Sequence, residues 1–439
     1  MIAINNVVGN PPYNGPGQGR PPIYHTITEL QATEIAPDNF AWIVQYNWIT
    51  QLSPVGAVMR RNLLDMGVFR IEDNRFDGFV EATVRTCTIY CRRGHTGTIE
   101  LVDRINNQTI TITPDEFLSL AQSPCYSQAE RDLLFKLKSL SVDNLGFPEV
   151  WTAQGTRVPT KGIYPNYAIS ATYFADFVRG GIGKIQAIGP DRPLPGSQRI
   201  FKKYNNLKDR ITADLILERM NSYWGSNLVK FVLSRTLTSR TLDNPQIAAV
   251  PVVPMDRIWD DAQLAQYFNL TPAEIDIVNR PRVRTELTYS PSKIITESIA
   301  QIALLESQDR AVFRTGDRKD KNGEVFTPTP LVLHMMTQLA DTAWESGQTF
   351  IDPTCGNGQI LATVAIIKRE LGHKDYLKTI YGIDLMPDNV IECRERLLAV
   401  AGDTVENRKI IEQNIVQGNA MLPESYYNFN NHVKLIKEE

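Results

Sequence analysis

The stretch Thr349-Phe350-Ile351-Asp352-Pro353-Thr354-Cys355-Gly356-Asn357-Gly358 passes from an apolar run into a glycine-rich turn, and apolar residues at helical spacing follow from Ile360 to Leu371. A strand that turns through glycines into a helix lets a nucleotide-like ligand approach backbone, and it belongs to open α/β sheets. The turn has no Gly-Lys-Ser/Thr ending and no basic residue, so it suits a ligand without phosphates. The next strand, Thr379 to Asp384, ends in an acid that can accept both hydroxyls of a ribose, and Leu385, Met386 and Pro387 follow it. A helix from Asp388 to Val400 leads to a third strand, Asn414 to Gln417, which ends at Gly418-Asn419-Ala420. Asn419 is placed to bond an adenine edge, and Met386 or Pro387 to cover its face. Upstream, Phe326-Thr327-Pro328 opens an apolar helix, Leu331 to Ala340, where exposed N–H groups and the Thr327 hydroxyl can meet a carboxylate.

At the other end of the chain, Ile2, Ile4, Val7 and Val8 read as a short buried strand that stops at Gly9-Asn10-Pro11-Pro12-Tyr13-Asn14. Asn10 offers a side-chain carbonyl and Pro11 a backbone carbonyl, held in place by two prolines, with the flat ring of Tyr13 beside them. A planar exocyclic amine suits such a pocket, because its two hydrogens need two acceptors and its ring needs a face to stack on.

Asn10 to Tyr13 resembles the Asn-Pro-Pro-Tyr motif of the amino-methylating DNA methyltransferases, and Gly323 to Ala420 is similar to the S-adenosylmethionine-binding region of their adenine-N6 members. The resemblance implies an α/β fold: a doubly wound Rossmann-like methyltransferase sheet, circularly permuted because the catalytic strand comes first, with an inserted mixed α+β DNA-recognition domain. It assigns catalysis to Asn10, Pro11, Pro12 and Tyr13. It assigns contacts with S-adenosyl-L-methionine to Phe326, Thr327, Asp352, Pro353, Cys355, Gly356, Asn357, Gly358, Asp384, Leu385, Met386, Asn419 and Ala420, although the family more often has aspartate where Asn419 stands. The domains expected are residues 1–150 (catalytic half), 151–285 (target recognition) and 286–439 (cofactor half). The two halves must feed one parallel sheet, with its switch point between the Ile351 and Val7 strands, and the tail from Leu422 to Glu439 is expected to run over the surface toward residue 1.

The implied reaction moves a methyl group to the N6 amine of adenine in double-stranded DNA, with the base flipped out of the helix and no metal required. Phe69, Phe76 and Phe79 are candidates for a second wall of the base pocket. Cytosine N4 is the nearest alternative, although Ser is then more usual at the Asn10 position. A glutamine side chain or an RNA base are further alternatives, as is a modification subunit that works with a separate specificity protein. A cognate restriction endonuclease is a further candidate partner.

The interior of the chain is consistent with nucleic acid. Between Arg179 and Arg210 there are eight Lys or Arg against two Asp, interleaved with aromatics. Arg179, Lys184, Arg192, Arg199, Lys202 and Lys203, with Lys230, Arg235 and Arg240 further on, are the candidate phosphate donors. The net charge of −3 over 439 residues argues against a uniformly basic coat. Five scattered cysteines without a CxxC pair point to neither a disulfide framework nor a zinc site. No run has the length of a membrane span and no signal-peptide pattern opens the chain, so a cytoplasmic protein with reduced thiols is expected. Local structure is legible elsewhere too. Pro54 to Met66 has helical spacing, with Val58, Leu63 and Leu64 inward and Arg60 and Arg61 outward. Residues 82–90 and 98–112 read as strands, with a turn at Asn106-Asn107.

Overall fold

The computed structural model describes residues 2–13, 23–50, 54–75, 85–104, 108–119, 127–140, 166–172, 175–176, 181–182, 185–190, 198–200, 206–236, 250–280, 289, 291–308 and 327–427. The chain divides into two compact units, Met1–Ala121 with Thr285–Glu439, and Gln122–Arg284. The strands, in chain order, are β1 (Asn6–Gly9), β2 (Asn39–Gln45), β3 (Val68–Arg75), β4 (Thr86–Arg92), β5 (Ile99–Asp103), β6 (Gln108–Ile112), β7 (Ala168–Thr172), β8 (Ala175–Asp176), β9 (Gly181–Ile182), β10 (Ile185–Ile188), β11 (Gln198–Ile200), β12 (Phe350–Asp352), β13 (Ile380–Asp384) and β14 (Ile415–Gln417).

The first unit holds one sheet in the order β14-β13-β12-β1-β2-β4-β3-β5-β6. The run from β14 to β2 is parallel throughout, as is β3 with β5, and the other pairings are antiparallel. A mostly parallel sheet of this kind is a mixed α/β arrangement, as the sequence suggests. The first strand of the chain therefore sits between β12 and β2, with Val7 opposite Ile351 on one side and Phe40 on the other.

A set of polar side chains fixes that register where the strands begin. Thr349 Oγ1 accepts from the Asn5 amide (2.8 Å), and Asn6 Nδ2 donates to the Thr349 carbonyl (3.0 Å). Asn39 Nδ2 in turn donates to Asn6 Oδ1 (2.9 Å), so one chain of bonds spans the starts of β12, β1 and β2. A slip of one residue would turn Val7 and Val8 to the wrong faces and leave these buried amides without partners. Above them, Val8, Ala41, Ile43, Tyr90 and Phe350 join Leu331, Met335, Leu361 and Val364 of two helices in one buried cluster.

Several local expectations need correction. Arg60, on the helix Pro54–Asp65, points inward: it is 2% exposed, and its Nη1 donates to the Trp48 carbonyl at 3.3 Å. The preceding segment, Tyr46–Thr50, is a 3-10 turn whose carbonyls need a donor, and Arg60 supplies it, while Val58 is left 40% exposed. The strand β3 is not apparent from the sequence, because Arg70, Glu72, Asp73 and Asn74 interrupt its apolar pattern. Nor does the tail from Leu422 onward run only over the surface. It forms the short helix Glu424–Tyr427, and Tyr426 is wholly buried. All the described cysteines, Cys87, Cys91, Cys355 and Cys393, are free. Among the described residues no helix is long and apolar enough to cross a membrane.

The second unit combines helices with short antiparallel strands, β7 pairing with both β10 and β11. It begins at Gln122, earlier than the boundary at 150 expected from the sequence. The reason lies in the helix Gln128–Ser139, which is tied into this unit by Lys136 to Glu274 (2.7 Å) and Glu130 to Arg235 (2.6 Å).

The polar residues of β3 are paired inside the first unit. Glu72, fully buried, accepts from Arg70 (2.8 Å) and Tyr90 (3.1 Å) and lies 2.7 Å from His334 Nε2. Burial opposes its charge, but His334, Arg70 and Arg104 outweigh that and hold its carboxyl down to about 2. A carboxyl depressed in the folded state stabilises above its ordinary range, and that stability is lost as pH falls through the folded value. Glu72→Gln is expected to cost about 3 kcal/mol at neutral pH by leaving its cationic partners uncompensated. It should also flatten the loss of stability on acidification below the ordinary glutamate range, which denaturant titrations at a series of pH values would read.

Candidate active site

The ends of β12 and β13 carry the predicted cofactor turn, and its shape follows from a few bonds. Asp352 Oδ1 accepts from the Thr354 amide (3.0 Å), the Cys355 amide bonds the Ile383 carbonyl (2.8 Å), and Gly356 N donates to Asp384 Oδ2 (2.9 Å). Gly356 and Gly358 have φ of +51° and +82°, and a Cβ on Gly358 would lie 2.6 Å from the Cys393 sulfur. Only glycine satisfies both the backbone and the space at Gly358. The helix Gln359–Glu370 then starts without a side-chain cap, so no capping side chain takes its first N–H groups.

Asp384 is 9% exposed, and its oxygens accept from Gly356 N, Met386 N (2.8 Å) and Asn389 Nδ2 (3.1 Å). It locks the turn to the end of β13, and a ribose would share or exchange these bonds. Beside it, Leu385 is 61% exposed, an apolar surface suited to a flat ring. Asn419 Oδ1 accepts from Met421 N (3.1 Å), and the Ala420 carbonyl accepts from Tyr426 Oη (2.9 Å), which itself accepts from Gln31 Nε2 (3.0 Å). The brace from Gln31 through Tyr426 to Ala420 escapes sequence reading; the one signal for it is an aromatic pair, Tyr426-Tyr427, just beyond the motif.

The Asn-Pro-Pro-Tyr loop leaves β1 next to this turn. A Cβ on Gly9 would lie 2.4 Å from the Trp42 ring and 2.9 Å from Asp352 Oδ1, so the close approach of β1 to Asp352 depends on a residue without a side chain. Asn10 Nδ2 donates to Thr327 Oγ1 at 3.0 Å, joining the loop to the segment ahead of the helix Thr329–Thr337. Tyr13 is 5% exposed, so stacking on a base would require its ring to be uncovered. Burial, with Cys87 close by, raises its phenol well above the ordinary value, and Asn10 acts against that shift.

Residues 314–417 match the family model described as N-6 DNA methylase. Over this segment the chain is similar to the N-6 DNA methylase family. The methylase segment contains the turn, Asp384 and the strand β14, while the Asn-Pro-Pro-Tyr loop lies outside it. Among solved structures, the chain matches the type IIG restriction endonuclease BpuSI at 10% identity, over 68% of this chain and 46% of that one, with a TM-score of 0.25. It matches the type IIL restriction-modification enzyme MmeI in complex with DNA at 11% identity, over 85% and 57%, with a TM-score of 0.27. The chain spans about half the length of these two structures. No curated protein matches it.

Around the methylase segment the structure gathers Asn10 through Tyr13, Thr327 and the turn residues at neighbouring strand ends. Phe326 lies outside the described residues. So do Arg179, Lys184, Arg192, Lys202, Lys203 and Arg240, and of Arg199 only the backbone in β11 is described. Lys230 is half-buried. Arg235 departs from the expected phosphate contact: it is 7% exposed and its guanidinium is bonded to the buried Glu130, so the side chain is committed to the interior. Of the candidates for a second base wall, Phe69 packs near Tyr90 (6.3 Å) under the Arg92 guanidinium (5.0 Å), while Phe76 and Phe79 lie outside the described residues.

Burial raises the Asp352 carboxyl to about 8, with Asp384 adding to the shift and Thr354 opposing it. An acid raised on folding is neutral in the folded chain while the unfolded chain already ionises, so stability falls as pH rises from the ordinary aspartate range to that value. Asp352→Asn is expected to remove this slope in ligand-free protein, read as the melting temperature between about pH 4 and pH 8, the span of the shift. Gly358→Ala is expected to cost about 2 kcal/mol or more through strain and the Cys393 contact, read by denaturant unfolding.

Proposed function

We propose that this chain is a site-specific DNA methyltransferase that uses S-adenosyl-L-methionine and acts on the N6 amine of adenine in duplex DNA. One observation carries the reading: the parallel pairing of β1 with β12 brings the Asn-Pro-Pro-Tyr loop to the end of the strand that opens the glycine turn. The permuted order of the two halves, with residues 122–284 as the recognition part between them, is part of the same proposal.

The turn fits the cofactor in three respects. Glycines leave room at the backbone, the helix start is uncapped, and the exposed Leu385 lies beside a carboxylate at the strand end. Thr327, Asp352, Gly356, Asp384 and Asn419 would hold it, and when bound it supplies an electrophilic methyl group on a sulfonium. The chain's own part is to make a weak nucleophile competent. An aromatic amine shares its lone pair with the ring, and acceptance of its two hydrogens by Asn10 Oδ1 and the Pro11 carbonyl draws the nitrogen toward tetrahedral geometry. The base reaches this loop only after leaving the helix stack, and Tyr13, once uncovered, gives it a face to lie on. No base is needed before transfer, because the amine proton becomes acidic only afterwards.

A second reading, a modification subunit that binds DNA with a separate specificity protein, is favoured by the burial of Arg235 against Glu130, which withdraws one of the proposed phosphate donors. Cytosine N4 would be served by the same chemistry. A cognate restriction endonuclease remains a proposed partner.

Incubating the purified chain with unmethylated duplex DNA and methyl-labelled S-adenosylmethionine, followed by nucleoside analysis, tests these readings together. Label in N6-methyladenine is the expected result. Label in N4-methylcytosine would change the base, and no label with the cofactor still bound would favour the partner-dependent subunit. Asn10→Ala is expected to lower transfer by about 100-fold or more while leaving cofactor affinity within about threefold.

A further inference from the structure

The bond between Asn10 and Thr327 joins residues 317 positions apart, one in the loop proposed to hold the methyl acceptor and one in the segment proposed to hold the donor. A carboxamide has two unlike ends of nearly equal shape, an oxygen that accepts and a nitrogen that donates, and a half-turn exchanges them at little steric cost. Only one setting suits an amine. With the oxygen toward it, an amine hydrogen finds an acceptor; with the nitrogen toward it, donor faces donor.

Thr327 bears on that choice. It is 5% exposed, and the helix that follows it is anchored by Leu331 and Val332, both wholly buried. Its hydroxyl is therefore a fixed partner. A hydroxyl can donate as well as accept, and with its hydrogen given to a cofactor carboxylate, as the reading of Thr327 above implies, its oxygen is left to accept from Asn10 Nδ2, which keeps the nitrogen of the amide on the Thr327 side.

We infer that Thr327 is a positioning residue for the proposed catalytic amide, holding Asn10 with its nitrogen turned from the substrate amine and its oxygen toward it. This rests on the assignment of Asn10 given above and gives Thr327 work on the acceptor side of the reaction as well as on the donor side. Thr327→Val keeps the shape and removes the hydroxyl. Thr327→Ser keeps the hydroxyl and removes a methyl group.

The experiment measures initial rates of labelled-methyl transfer to unmethylated bacteriophage DNA, together with affinity for S-adenosylhomocysteine by calorimetry and thermal unfolding. Thr327→Val is expected to lower kcat by the order of 100-fold with little change in KM for DNA, as befits a misplaced catalytic group. Thr327→Ser should recover most of that loss, and both variants should unfold as the parent does, with Thr327→Val losing S-adenosylhomocysteine affinity by no more than about tenfold, well short of its loss of rate. In an Asn10→Asp background, where a carboxylate has no wrong way round, Thr327→Val should cost less than about threefold, because the two residues act as one unit. Loss of S-adenosylhomocysteine affinity in proportion to rate would overturn the inference by placing Thr327 on the donor alone. So would a full loss of rate on adding Thr327→Val to Asn10→Asp, or no recovery with serine. A parent-like rate in Asn10→Ala would instead remove the assignment of Asn10 itself.

Discussion

Everything near the site depends on Val7 lying beside Ile351. Two short strands, remote in sequence, must meet in parallel and in one register, and neither carries enough apolar surface to enforce this alone. Asn5, Asn6, Asn39 and Thr349 supply the missing specificity, since a shifted alignment would strand buried amides. The constraint carries to the other end of the strands. With the starts aligned, Gly9 arrives against Trp42 and Asp352, and the chain beyond it reaches Thr327.

The carboxyls of the first unit are handled in different ways. Glu72 is surrounded by Arg70, Tyr90 and His334, and its charge survives burial. Asp384 receives three donors drawn from the turn and the helix behind it, and so becomes part of the turn's frame. Asp352, wholly buried, accepts from Thr354, sits close to Asp384, and rises into the neutral range. Burial and the neighbouring Asp384 charge raise Asp352, whereas the charges around Glu72 overcome its burial.

The region of the glycine turn was largely legible in the sequence because its parts are local: a strand, a glycine turn and a helix occupy consecutive residues, and β12, the helix Gln359–Glu370, β13 and β14 lie close to where spacing puts them. The Asn10-to-Tyr13 loop was legible for the same reason. What stayed hidden depends on distant partners. Arg60 looks like a surface residue until the Trp48 carbonyl is placed opposite it, and Glu72 breaks an apolar pattern that His334, Arg70 and Tyr90 make tolerable. Tyr426 gives no periodic signal, since its role comes from Gln31 and Ala420. Arg235 shows the opposite error: a cationic side chain beside hydroxyls reads as a phosphate donor until the buried Glu130 is seen.

The position of β1 also orders events in time. Residues 6–9 are made well before one of their two parallel neighbours, residues 350–352, so while the chain between them is synthesised that side of the strand has no partner. β2 is available much sooner, and pairing of Asn6 with Asn39 can form before the distant half exists. A nascent chain thus holds an exposed Val7-Val8 edge until the ribosome has delivered the second half. The loop that would distinguish one base from another is translated long before one of its neighbours exists.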